Sequence, residues 1–139
     1  MKLRSTINSR KWVILATLFR LNLRFLFFKS RLLNDLSFYR RKVALKITAD
    51  EIGFATKWNR ILSTVLSVLC TQYTACMKRC FILAVILDGS VGAKLLVGIE
   101  PGRLANGHAW IVDRTGSILA DHFNEQTTTY RVVKHYSID

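Results

Sequence analysis

The stretch CMKRCFILAVILDG, residues 76–89, determines how the second half of the chain folds. Its side chains from Phe81 to Leu87 are all apolar, and Asp88-Gly89 is a typical helix stop. The pattern predicts a mostly buried helix with Cys76 in its first turn. Backbone N–H groups that lack helical partners and the positive end of the helix dipole favour a thiolate at that position.

Three segments of strand character follow this helix. They are GAKLLVGIE (92–100), GHAWIVD (107–113) and SILAD (117–121). Arg114-Thr115-Gly116 joins the last two and is typical of a tight hairpin turn. His108 begins one strand of this hairpin and Asp121 ends the other. Because antiparallel pairing brings those two ends together, the sequence predicts a hydrogen bond between His108 and Asp121.

Cys76, His108 and Asp121 carry the three groups of a cysteine nucleophile: a thiol, a base that takes its proton and an acid that orients the base. Each residue also has an ordinary structural interpretation, as a small core residue, a half-buried histidine and a strand-end or turn residue. The order of the three residues, their placement and the hairpin pairing together favour the catalytic interpretation. No cofactor is predicted.

Other residues are weaker candidates for these roles. A cysteine four residues after Cys76 lies deeper in the same helix and is expected to be an inert packing residue. An aspartate five residues after His108 falls on the opposite face of the strand. A polar side chain before the helix could assist the backbone N–H of Cys76 in stabilising an oxyanion, although capping and packing are the ordinary roles there. These weaker candidates are Cys70, Gln72, Tyr73, Cys80, Asp113, His122 and His135.

The Cys-x3-Cys helix, the Val-Gly-Ile strand, the His108-Ala-Trp segment and the hairpin to Asp121 resemble a known family. It is the family of transglutaminase-like proteases, in the papain-like superfamily, that remove leader peptides during lasso peptide maturation. The resemblance covers roughly residues 55 to 135. It implies an α+β fold in which N-terminal helices precede a cysteine-bearing helix packed on a small antiparallel sheet. Members of the family usually have a small hydroxyl residue where this chain has Cys80.

The resemblance also implies an activity. Cys76 is the expected nucleophile, His108 the general base and acid, and Asp121 the orienting residue of a cysteine peptidase. The expected substrate is a ribosomal precursor peptide, which a separate ATP-dependent cyclase joins into a ring after cleavage. Because the chain has little length before this region, a separate leader-binding protein is expected to deliver the precursor.

Two alternative functions remain open. An acyltransferase or transglutaminase on the same fold would pass the acyl group to an amine instead of water. A noncatalytic basic adaptor would bind a partner protein or an anionic membrane surface and would not need its thiol.

Composition indicates a folded protein in a reducing compartment. Of the 139 residues, 50% are hydrophobic, which is enough for a sizeable core. The chain has 3 cysteines and no Cys-x-x-Cys pair, so a disulfide framework and a zinc site are both disfavoured. A cytoplasmic location is therefore expected, with peripheral membrane contact as an open alternative.

Positive charge is concentrated in the N-terminal part. Residues 1–60 contain 14 lysines and arginines against 3 acidic residues, a net charge of +11, whereas residues 61–139 contain 7 against 6. The basic residues alternate with bulky aliphatic ones and match no nucleic-acid-binding motif, so nucleic acid is not an expected partner.

The segment WVILATLFRLNLRFLFFKSRLL, residues 12–33, has helical spacing of its arginines at 20, 24 and 31. Arginines within the run disfavour a membrane span, and the short apolar stretch disfavours a signal peptide. The helix is expected to pack on the protein core, to lie on an anionic membrane or to dock a partner.

We predict two parts of what is expected to be one compact domain: a basic, apolar helical segment at 1–47 and a protease core at 48–139. Thr48, followed by Asp50 and Glu51, is the expected start of the first helix of the second part. Apolar residues spaced by three and four predict its buried face; they are Trp58, Ile61, Leu62, Val65, Leu66 and Leu69.

Overall fold

A computed structural model of the chain describes residues 2–27, 36–69, 76–121 and 130–138. Helices α1 to α4 span Lys2–Phe27, Leu36–Lys42, Ile52–Leu69 and Cys76–Ile86. Strands β1 to β4 span Lys94–Glu100, Arg103–Val112, Ile118–Ala120 and Arg131–Ser137. Short 3-10 turns, Ala49–Glu51 and Gly89–Val91, precede α3 and β1. The predicted α+β class is confirmed, with helices first and a helix packed on an antiparallel sheet.

The four strands form one antiparallel sheet in the order β3-β2-β1-β4. The predicted hairpin joins β2 to β3. Its turn is closed by the Asp113 N–H, which donates to the Ser117 carbonyl at 2.8 Å, and by Gly116, which has a φ of +89°. β4 was not predicted from the sequence, and it pairs with β1 on the other side of the sheet.

Helix α4 is the centre of the core. Its buried side chains run without interruption from Arg79 to Ile86, so the predicted burial of this helix is confirmed. Phe81 packs against Phe25 of α1 with ring centroids 5.3 Å apart and against Tyr39 of α2 at 6.2 Å. The apolar run of the sequence therefore meets helices on one side and β2 on the other.

The C-terminal end of α4 is buried, and distant residues satisfy its carbonyl groups. The Arg40 guanidinium, only 6% exposed, donates to the carbonyls of Ala84 and Leu87. The Ile47 N–H donates to the Ile86 carbonyl at 2.7 Å. These contacts replace the helical partners that the last carbonyls of any helix lack.

Helix α1 buries one stripe of side chains in the same core: Ile14, Leu18, Leu21 and Phe25. Arg20 and Arg24 are exposed on the other side. Of the three roles expected for α1, packing on the core is therefore the one that the structure shows. No helix in the described part of the chain is long and apolar enough to cross a membrane.

A buried polar chain ties α1, α3 and α4 together. Asn22 of α1 donates through Nδ2 to Asn59 Oδ1 at 2.9 Å, and Asn59 Nδ2 donates to the Arg79 carbonyl of α4 at 2.9 Å. The polar residues Asn59 and Ser63 of α3 are almost completely buried, at 0% and 1% exposed. The prediction of an apolar buried face for α3 is therefore wrong in part, because these polar side chains are buried while Val65 is 55% exposed.

The helical region begins after Thr48, as the sequence predicts, but its first turn, Ala49–Glu51, is a 3-10 helix and α3 itself starts at Ile52. Glu51 Oε2 accepts a hydrogen bond from the Thr48 N–H at 2.9 Å. Arg10 of α1 forms a bidentate ion pair with the same carboxylate and donates to the Lys46 carbonyl at 2.7 Å. The basic N-terminal helix is thus attached to the rest of the protein at this turn as well as through its apolar stripe.

We predict that Asn59→Leu lowers the free energy of unfolding by about 1–3 kcal/mol, because it leaves one Asn22 N–H without its buried acceptor and removes the amide that links α3 to the Arg79 carbonyl of α4. Urea unfolding measured by circular dichroism checks this. Thr64→Ala on the exposed side of α3 is the control and should change stability by less than about 0.5 kcal/mol. Equal effects of the two variants would contradict a structural role for the polar chain.

We predict that Glu51→Gln destabilises the protein by about 0.5–1 kcal/mol near neutral pH. Hydrogen bonding to Arg10 lowers the pKa of Glu51 in the folded protein. The contribution is therefore present above the usual carboxyl pKa and is lost as pH falls through the lowered value. Unfolding curves of variant and wild type should converge only once the pH falls below the lowered pKa of Glu51. Asp50→Asn is the matched control, and a gap that does not close at low pH would contradict the prediction.

Candidate functional site

Cys76 is the first residue of α4, as predicted, and its side chain is partly exposed. Its Sγ lies 4.0 Å from the carbonyl oxygen of Gly107 in β2. Gly107 directly precedes His108, so the thiol contacts the backbone of β2 one residue away from the predicted base. The start of α4 supplies N–H groups and the positive end of the helix dipole at this point.

His108 and Asp121 form the hydrogen bond that the hairpin predicts. Nε2 of His108 lies 3.0 Å from Oδ1 of Asp121, and the two side chains are only 2% and 6% exposed. A carboxylate accepts hydrogen bonds, so this contact holds the proton of a neutral imidazole on Nε2. Nδ1 is then the ring nitrogen that can act as a base.

Two aromatic rings enclose the imidazole. Trp110 stacks on His108 at a centroid distance of 5.6 Å and an interplanar angle of 20°, and Tyr130 lies 5.0 Å away. Gly98 of β1 permits this arrangement, because a Cβ there would lie 2.9 Å from the Tyr130 Cβ and 3.0 Å from the Trp110 ring. The rings shield the His108–Asp121 hydrogen bond from water, which strengthens it.

Trp110 and Tyr130 are site residues that sequence reasoning missed. Trp110 could have been found from alternation, because it lies two residues after His108 and so shares its face of β2. Tyr130 precedes β4, and no local pattern connects it with His108. Its position depends on the pairing of β4 with β1, in which Val132 lies opposite Gly98.

Strand alternation separates the two faces of β2. Ala109 and Ile111 lie in the core beneath α4, whereas His108 and Trp110 project from the other face. The thiol of Cys76 therefore meets the strand at its backbone, beside the peptide bond between Gly107 and His108. The thiol and the imidazole thus approach β2 from opposite faces, at the neighbouring residues Gly107 and His108.

Cys80 lies one helical turn below Cys76 and is fully buried. Its thiol donates to the Ala109 carbonyl at 3.2 Å. Burial raises the pKa of Cys80 far above its usual value, and the nearby charges of Cys76 and Asp121 raise it further. The prediction that Cys80 is a packing residue is therefore confirmed.

Asp113 has a structural role in the hairpin turn. Its Oδ1 accepts hydrogen bonds from the Thr115 N–H at 2.8 Å, the Thr115 hydroxyl at 2.7 Å and the Ser117 N–H at 3.0 Å. These contacts, the Thr115 side chain first, lower the pKa of Asp113. The carboxylate is committed to the turn, in agreement with the preference for Asp121.

Of the remaining candidates, His135 is exposed on β4. The positions predicted for Cys70, Gln72, Tyr73 and His122 lie outside the described residues. Within residues 2–27, 36–69, 76–121 and 130–138, no group of three histidine, cysteine or acidic side chains is arranged to hold a metal ion.

Comparisons with protein-family models, with curated proteins and with solved structures find no match to this chain.

Proposed function

We propose that this protein is a cysteine peptidase in which Cys76 is the nucleophile, His108 the general base and acid, and Asp121 the orienting residue. The observation that carries the proposal is the buried hydrogen bond between His108 and Asp121, at 3.0 Å, beside the strand residue that the Cys76 thiol contacts. A histidine oriented by a carboxylate and a thiol at a helix start are the groups from which an activated cysteine is built, and this supports the proposal.

The proposed reaction has two halves. His108 Nδ1 takes the proton of Cys76, and the thiolate attacks the carbonyl carbon of a peptide bond. The C–N bond then breaks, and the imidazolium gives its proton to the leaving amine. In the second half, His108 takes a proton from water and the hydroxide attacks the thioester carbonyl carbon. The C–S bond then breaks, the acid product leaves, and the imidazolium returns its proton to the Cys76 sulfur. For the first proton transfer, Sγ of Cys76 and Nδ1 of His108 must come together beside the peptide bond between Gly107 and His108.

The surroundings of the three residues support specific roles. Asp121 keeps the proton on Nε2 and stabilises the imidazolium that forms in each half of the reaction. Trp110 and Tyr130 limit access of water to that contact. The N–H groups at the start of α4 are suitable donors to the oxyanion.

The proposed substrate is a ribosomal precursor peptide of the lasso type, from which the enzyme removes the leader before a separate ATP-dependent cyclase closes the ring. This part of the proposal is supported by the sequence resemblance at Cys76, His108-Ala-Trp and Asp121. A separate leader-binding protein would present the precursor to the enzyme.

We predict that Cys76→Ala lowers the rate of precursor cleavage at least about 10³-fold. Cys80→Ser is the matched control on the same helix, and its hydroxyl can still donate to the Ala109 carbonyl, so activity should remain. The assay combines enzyme, a lasso-type precursor peptide and a leader-binding protein for that precursor, and mass spectrometry identifies the products. Undiminished cleavage by Cys76→Ala would remove this residue from the mechanism.

The same assay separates the alternative functions. An added small amine that becomes amide-linked to the precursor in place of hydrolysis would indicate an acyltransferase. Absence of any product with wild-type protein, together with retained binding of the leader-binding protein, would indicate the noncatalytic adaptor.

We predict that Asp121→Ala lowers kcat by about 10²–10⁴-fold, because the imidazole loses the group that fixes its tautomer. Asp113→Ala is the control: it removes a carboxylate from the turn and should lower stability without a comparable loss of kcat. Rates are compared per folded molecule, measured by circular dichroism. Equal losses of kcat in the two variants would contradict a specific role for Asp121.

A further inference from the structure

A groove runs between α3 and the edge strand β3. One wall is formed by a single face of α3, with Gly53, Thr56, Lys57 and Arg60, and the other by residues 118–121 of the β3 segment. Its volume is about 350 Å³, within the usual range of ligand pockets, which is about 300–1,000 Å³. The groove is therefore large enough to receive side chains of a bound peptide.

The groove ends at the candidate active site. Asp121, the last residue of its β3 wall, accepts the hydrogen bond from His108. Ala120, which is 3% exposed, packs into the core behind this wall. If the scissile bond of a peptide lies at Cys76 and His108, the peptide residues next to that bond are therefore close enough to enter this groove.

The α3 wall of the groove is positively charged. Lys57 and Arg60 are three residues apart, so they lie on the same face of the helix, and both side chains are exposed. Within the described part of the chain, neither forms an ion pair with an acidic side chain. The carboxylate of Asp121 is engaged by His108 rather than by these two cations.

We propose that this groove binds an acidic segment of the peptide substrate, and that Lys57 and Arg60 are specificity-determining residues. The inference rests on the proposed peptidase function and names the class of peptide that it takes. The planar guanidinium of Arg60 suits a bidentate contact with a carboxylate, and the Lys57 ammonium adds a second positive charge one turn away. Because Lys57 and Arg60 form no ion pair with an acidic side chain in the described part of the chain, they would also repel a basic peptide residue in the groove.

The test uses the Cys76→Ala protein, so that binding is measured without cleavage. The probes are dye-labelled peptides of glycine and serine, blocked at both ends, that carry either two adjacent glutamates or two adjacent glutamines. Fluorescence anisotropy gives the dissociation constants. We expect the glutamate peptide to bind about tenfold more tightly, and the difference to shrink between about 50 mM and 200 mM salt.

Two charge-matched variants make the test specific. Lys57→Gln/Arg60→Gln should abolish the preference for glutamate, whereas Arg20→Gln/Arg41→Gln, which removes two exposed cations elsewhere, should keep it. Equal binding of the two peptides, or an unchanged preference in Lys57→Gln/Arg60→Gln, would overturn the groove proposal. Cleavage by wild type is followed separately: an intact preference for glutamate with no Cys76-dependent cleavage would instead refute the peptidase.

Discussion

A helix that is buried along its length is stable only if the polar groups at its ends find partners inside the protein. Helix α4 meets this requirement through residues far away in the sequence. Arg40 and the Ile47 N–H donate to its last carbonyls, and Asn59 adds a contact with the Arg79 carbonyl inside the helix. These contacts fix both the depth and the direction of α4. They therefore determine where its first residue, Cys76, lies.

The sheet provides the other half of the site. Because side chains alternate along β2, the strand can present Ala109 to α4 and His108 to the opposite face. Small Ala109 lets the helix approach until the Cys80 thiol reaches the strand backbone, at 3.2 Å. One turn further, Cys76 reaches the Gly107 carbonyl. The close packing of helix on strand is thus what brings a thiol to the residue beside an imidazole.

The positive charge of the chain is distributed according to the same packing. Helix α1 buries Ile14, Leu18, Leu21 and Phe25 and leaves Arg20 and Arg24 in water. Arg40 and Arg79 are exceptions, since both side chains are buried. Lys57 and Arg60 of α3 are exposed, as is Arg10, which pairs with the Glu51 carboxylate.

Much of the fold and of the candidate site could be predicted from local sequence. The apolar run after Cys76 indicates the buried helix, and the turn at 114–116 indicates the hairpin. Since His108 and Asp121 lie on the two strands of that hairpin, their hydrogen bond also follows from local pairing. The inert character of Cys80 follows from its position one turn deeper in the same helix.

Other features could not be predicted because they depend on contacts between distant segments. The pattern of α3 indicates an apolar face, yet Asn59 and Ser63 are buried there while Val65 is exposed. Asn59 can be buried only because α1 and α4 supply its hydrogen-bond partners. Likewise, Tyr130 lies on the His108 ring only because β4 pairs with β1.

The sequence by itself determined the helix that bears Cys76, the first three strands and the histidine–aspartate pair, since each depends on periodicity or on a short turn. Tertiary structure alone decided which polar groups are buried, which aromatic rings enclose His108 and where the thiol lies against β2. The physical reason is that an amide or a guanidinium is stable in the core only when remote parts of the chain satisfy its hydrogen bonds.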